Sequence, residues 1–171
     1  IFAACDLGLW TASLSYSTAS NVTLLGNTSP LWVALGTWLI FKRKLSGSFW
    51  RGLAFVLLGA ALIMGTDFIL HPRFGIGDVM ALSTGFFYGG YFLFTEKSRE
   101  TFDPVSHTWF VGIGASTTIF FVNLAIHNSL VGYDKNTWLI FLATALVSQL
   151  IGYMSLAYAL GHLPAVIVSP T

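Results

Sequence analysis

A bilayer core about 30 Å thick needs roughly 20 mostly apolar residues per helical crossing. Positions 22–41, 50–69, 78–95, 104–126 and 137–160 each supply such a run, separated by short polar connections. A sixth run, 1–17, opens the chain without a Met, and a seventh begins near Ala165. The chain is therefore expected to be the middle of a longer polytopic protein. Its fold class is expected to be all-α, a bundle of membrane helices. Outer-membrane strands would alternate polar and apolar residues over about ten positions, whereas these runs are apolar all round. A cleaved leader is a poor reading of 1–17, because no basic stretch precedes it and Asp6 interrupts it.

Charge narrows the function classes. Eight Lys and Arg with seven Asp and Glu make up 9% of the residues, against roughly a quarter in a soluble domain. So few charges cannot wet the surface of an ordinary soluble enzyme. A net charge of +1 gives no basic stripe for nucleic acid. A single Cys leaves no disulfide framework and no Cys-rich zinc site. The charges that exist are placed asymmetrically: Lys42, Arg43, Lys44 and Arg51 flank one connection, and Lys97 and Arg99 sit two connections later. Arg73 and Lys135 lie in the alternate connections, on the other side, so the positive-inside rule assigns 42–51 and 96–103 to the cytoplasm. The turn near Thr18 and the stretch His127–Asn136 then face outside.

Ser13-Leu14-Ser15-Tyr16 is echoed 142 positions later by Ser155-Leu156-Ala157-Tyr158. Both stretches end a span, yet the charge assignment gives the turns after them opposite orientations. Such a pair is the mark of an inverted-topology repeat. The expected division is 1–69 for one repeat, 70–77 for a connecting loop and 78–171 for the other.

The run from Ser13 through Asn21-Val22-Thr23, Gly26-Asn27-Thr28-Ser29-Pro30 and Leu31-Trp32, followed by a span ending in Lys42-Arg43-Lys44, resembles the first repeat of EamA-type permeases of the drug/metabolite transporter superfamily. Gly77-Asp78 with Ala81-Leu82 is similar to the next span of that family. Leu156-Ala157-Tyr158-Ala159-Leu160-Gly161-His162-Leu163-Pro164-Ala165 is similar to the matching stretch of its second repeat. The resemblance covers essentially the whole chain, from within helix 3 to the start of helix 9 of a ten-helix fold. It implies a multi-pass protein of a cell membrane, the bacterial inner membrane in particular. It also implies a secondary transporter, in the export direction, of small organic metabolites such as amino acids. Two departures stand out. Lys42-Arg43-Lys44 replaces an acidic residue followed by Arg, and the second repeat's proline would fall beyond residue 171.

Several polar groups sit where a membrane span should be apolar. An ionisable side chain at the bilayer centre costs about 2.5–3.5 kcal/mol on insertion scales. Asp6 lies eleven residues from the outer end near Ser17, roughly 16 Å down. It reads either as a substrate-amine or proton site, or as a residue that lies near the cytoplasmic surface or is bonded to a neighbouring helix. Gln149 falls at similar depth, and the repeat offset sets Ser148 opposite Asp6. Gln149 reads equally as substrate contact or as interhelical hydrogen bonding. Asn27 precedes Pro30, whose ring is expected to kink the 22–41 span and expose carbonyls to a cavity; re-satisfaction of those carbonyls by Thr or Ser is the structural alternative. Trp10 is one helical turn from Asp6 and shares its face. Tyr88, Tyr91 and Tyr153 lie deep enough to wall a pocket, whereas Tyr16, Tyr158, Trp50, Trp109 and Trp138 read as interfacial anchors.

The substrate-binding set expected from these residues is Asp6, Trp10, Asn27, Tyr91, Gln149 and Tyr153, around a midplane cavity that opens by alternating access. Proton coupling through Asp6 is compatible with that set. The partners are a small-molecule substrate, the lipid bilayer and, for a homodimer, a second copy of the chain. The competing reading is a non-transporting membrane scaffold whose polar residues only join helices. Gly85 and Gly89, and Gly112 and Ser116, fit the spacing for close helix approach. Gly75-Ile76-Gly77-Asp78 matches the GxGD of intramembrane aspartyl proteases, but Asp78 opens a span and reads as a helix N-cap. Tyr133-Asp134 lies in an outside loop. His71, His107, His127 and His162 have no metal-ligand spacing, and no Walker-type loop is present. No cofactor and no enzymatic chemistry is expected.

Overall fold

A computed structural model describes residues 1–70, 75–125 and 131–170, with side chains in 47–70 described up to residue 59 and at Leu62. The connection at 71–74, which includes Arg73 and His71, and the stretch at 126–130, which includes His127, lie outside the described residues. The helices are α1 (Phe2–Ser13), α2 (Ala19–Gly26), α3 (Ser29–Leu39), α4 (Gly47–Leu70), α5 (Ile76–Ser98), α6 (Pro104–Ala125), α7 (Lys135–Thr144), α8 (Tyr153–Leu160) and α9 (Ala165–Val168). A π-helical segment, Ala145–Gly152, joins α7 to α8. The described residues contain no strand. α6 has 22 residues and the continuous stretch Lys135–Leu160 has 26; both are apolar and long enough to cross a membrane. At 1.5 Å per residue the shorter of them reaches about 33 Å.

The chain divides into a larger unit, Phe2–Leu93 with Ala165–Thr171, and a smaller unit, Phe94–Pro164 with Ile1. In the larger unit α5 lies against α2 and α3 through glycines. A Cβ on Gly85 would stand 3.0 Å from the Leu25 carbonyl oxygen and one on Gly89 would stand 2.7 Å from Trp32 Cβ. These are the close backbone approaches that small residues permit. Val22, Leu25 and Ala81 form a buried cluster beside them, with Leu82 packed against it. Phe86 meets Trp32 edge-on at 5.4 Å. α9 packs on α3, and α2 packs on α1 and α4.

In the smaller unit α6 packs on α8. Its other faces carry exposed apolar side chains, among them Trp109, Phe110, Ile140 and Val147. A water-soluble fold would bury such faces, and a lipid-facing helix presents them. Gly112 does not repeat the packing of Gly85: nothing lies within 4 Å of a Cβ built on it.

Two expectations about helix continuity are corrected. The 22–41 span is not one helix kinked at Pro30. α2 stops at Gly26, and Pro30 stands in the first turn of α3. There the missing N–H has no intrahelical acceptor to lose, so the ring costs nothing. The Thr28 hydroxyl donates to the Leu25 carbonyl at 2.7 Å, which also accepts the Thr28 N–H at 3.2 Å across the break. Nor is 137–160 a uniform α-helix, because eight of its residues are π-helical. Beyond the end of α3, Lys42 lies in the left-handed region (φ 51), and Arg43 N reaches back to donate to Thr37 O at 3.2 Å.

Candidate functional site

In the larger unit an acidic residue and a set of aromatic rings come together. Asp6 on α1 is 7% exposed, and no hydrogen bond or ion pair to another described residue reaches its carboxylate. Tyr88 on α5 lies within electrostatic reach of it. Three residues on, Tyr91 stacks parallel to Tyr88, centroids 6.1 Å apart and planes 2° apart, as the i, i+3 spacing on one helix face allows. Phe92 closes edge-on against Tyr88 at 4.8 Å. Trp10, one turn beyond Asp6, is 40% exposed and leans over the end of α2, 3.8 Å from where a Gly26 Cβ would stand. This is a carboxylate held in apolar surroundings with aromatic faces and a phenol beside it. Such a group can receive a cation or a proton, or donors of an amine-bearing solute.

The structure brings Asp6, Trp10 and Tyr91 into one unit but leaves Asn27 out of their group. Asn27 is exposed and caps the C-terminus of α2, its backbone N–H directed at the Thr23 and Leu25 carbonyls. Tyr91 is 4% exposed, its ring faces occupied by Tyr88 and Phe92. Gln149 and Tyr153 belong to the smaller unit. Gln149 is an exposed member of the π segment, and Tyr153 is a half-buried residue opening α8. Gln149 lines a cavity of about 460 Å³ together with Trp109, Gly112, Ser116, Thr117 and Met154.

The family model for the EamA-like transporter family matches residues 1–65 and 75–171. The chain belongs to the EamA-like transporter family. It is thus an integral membrane protein of a transporter family, in keeping with its two long apolar helices. No match was found among curated proteins or among solved structures.

Two polar clusters of this EamA-family chain act on its architecture. Asp78 is not the N-cap residue of α5 but stands inside the first turn, 3% exposed. From there it reaches back to the Gly75 N–H at 2.8 Å and accepts from the Ser17 hydroxyl at 2.5 Å. The first bond is half of a capping box, and the second ties α5 to the turn after α1. The GxGD motif thus serves a helix start. The other cluster escaped sequence reasoning. Arg99 Nε donates to the Ala157 carbonyl at 2.9 Å, and its guanidinium also bonds the Phe102 carbonyl. A Cβ on Gly161 would stand 2.7 Å from Arg99 Nη2, so glycine leaves the room the guanidinium needs. Beside it Ser98 Oγ and His107 Nδ1 are 2.9 Å apart. A cation at the C-terminal turn of α8 also meets the negative end of that helix. The sequence marks Arg99 only as a charge in the 96–103 connection, because a partner 58 positions away leaves no local signal.

Proposed function

We propose that this chain acts as a secondary transporter that carries small organic metabolites, amino acids among them, out of the cell by alternating access. The membership of the EamA-like family over residues 1–65 and 75–171 carries this reading. The match is interrupted at 66–74, overlapping the 70–77 connection, which supports assigning the two stretches to two repeats. The buried Asp6 beside the Tyr88–Tyr91 stack supports a solute bearing an amine, with proton coupling through the same carboxylate. Trp10 would meet the apolar part of that solute from the exposed side of α1. The site rests on binding groups alone, so no chemical conversion is assigned. The bacterial inner membrane is the location that fits an exporter of this family.

The test is an untargeted solute profile of the medium from cells expressing the gene, compared with cells expressing Asp6→Asn. A solute that accumulates outside only with the unaltered protein is the expected result. Identical profiles, with both proteins present in the membrane in equal amount, would remove export through this site. A melting temperature lowered by Asp6→Asn and raised by no solute would favour the scaffold reading instead.

A further inference from the structure

We infer that the cleft between α6 and the π segment is a binding site for a small uncharged amphiphile that carries both a hydrogen-bond donor and an acceptor. A primary amide attached to an aromatic ring is the simplest such molecule. The inference goes beyond transport, since it concerns what the smaller unit binds and not what the chain moves.

Three observations carry it. The first is size: a cavity of about 460 Å³ lies within the range of roughly 300–1,000 Å³ typical of small-molecule sites. Gly112 contributes to the space, with nothing within 4 Å of where its Cβ would be. The second is charge. No Asp, Glu, Lys or Arg is among the residues lining the cleft. A charged ligand would therefore lose its hydration in an apolar setting with no counter-charge to replace it.

The third is the state of the polar groups. Of the four polar side chains that line the cleft, Thr108 donates to its own helix, to the Pro104 carbonyl at 2.8 Å. Ser116, Thr117 and Gln149 make no hydrogen bond to any described residue. Two hydroxyls and a carboxamide offer donors and acceptors together, a demand that hydrocarbon at membrane depth does not meet. An acyl chain would fill the volume and leave all three unmatched. A ligand with an amide at one end satisfies them, while Trp109, Ile113 and Met154 supply apolar contact for the rest. Gln149 stands in a π-helical stretch, a departure from α geometry that recurs at functional sites.

The experiment uses the chain in lipid nanodiscs with 4-bromobenzamide as probe, its bromine quenching Trp109 fluorescence. Expected is saturable quenching that disappears in Trp109→Phe. The half-saturation concentration should rise about fivefold in Gln149→Leu, the loss of one hydrogen bond. Gln149 is exposed, so this variant should fold; Ser116→Ala with Thr117→Val is the second variant and should show the same direction. Bromobenzene and 4-bromobenzoate should bind at least fivefold more weakly than the amide. Bromobenzene binding as well as the amide, or affinity unchanged in both polar variants, would overturn the inference. So would quenching of Trp109 by lipids with brominated acyl chains that unbrominated benzamide fails to relieve. No transport is measured, so these outcomes stand apart from the export test.

Discussion

Gly85 and Gly89 occupy positions of α5 where a single methyl group has nowhere to go. Gly89→Ala would set its Cβ 2.7 Å from Trp32 Cβ and 3.2 Å from the Ser29 carbonyl oxygen. Overpacking of this kind costs about 1–3 kcal/mol. The melting temperature of the purified chain should fall clearly with Gly89→Ala and hardly move with Gly112→Ala, which has open space around it. Equal effects would mean that α5 is not seated on α3 as described. At the same scale, two exposed carboxylates hold helix starts outside the membrane. The Ser106 hydroxyl, then backbone N–H groups, keep Asp103 below the usual carboxylate range. The Thr137 hydroxyl does the same for Asp134, followed by backbone donors at Asn136 and Thr137. A carboxylate whose pKa is lowered by folding contributes stability above its unfolded value and loses it as pH falls through the folded one. Thermal stability should thus be flat with respect to these groups above about pH 5 and decline below about pH 4. The decline should be shallower in Asp103→Asn with Asp134→Asn, measured by melting curves across that range.

Among the elements, the π segment is the one whose behaviour under deletion separates it from ordinary helix. It closes its hydrogen bonds five residues back, so its ladder holds more residues per turn than an α-helix. Removing Leu146 lets the segment relax to α while α8 keeps its contact with α6. Removing Ile113 from the regular α6 instead turns everything beyond it by about 100°. The Leu146 deletion should remain folded with a melting temperature close to the parent, and the Ile113 deletion should not; similar losses in both would contradict a π geometry at 145–152. Which elements could be read from the residues follows from how local their causes are. α4, α5 and α6 lie within a few residues of the apolar runs at 50–69, 78–95 and 104–126, because run length alone specifies them. The break at Asn27–Thr28 was signalled by Pro30, yet its form was not, since proline tolerates both a kink and a first turn. Nothing in the composition of 145–152 distinguishes π from α. The candidate site divides the same way. Asp6 with Trp10, and Tyr88 with Tyr91, are legible from helical spacing. The separation of Gln149 from Asp6 into another unit, and the cavity at Gln149, depend on tertiary packing.

For the whole molecule the testable consequence is its direction in the membrane. Ser46 lies in the connection that carries Lys42, Arg43 and Lys44, and Asn136 lies next to Lys135; both are exposed. With a membrane-impermeant maleimide, Asn136→Cys should label on intact cells and Ser46→Cys only after permeabilisation, the reverse pattern placing both charge clusters on the wrong side. Arg99 also bears on how such a chain is made. Its acceptor is the carbonyl of Ala157, 58 positions later, and ribosomes add about 5–20 residues per second, a delay of about 3–12 s. Throughout that interval the Ala157 acceptor is missing, and the guanidinium has the Phe102 carbonyl, three residues on, as its partner. The smaller unit can close only as its final helix emerges, so residue 99 is synthesised first and satisfied last.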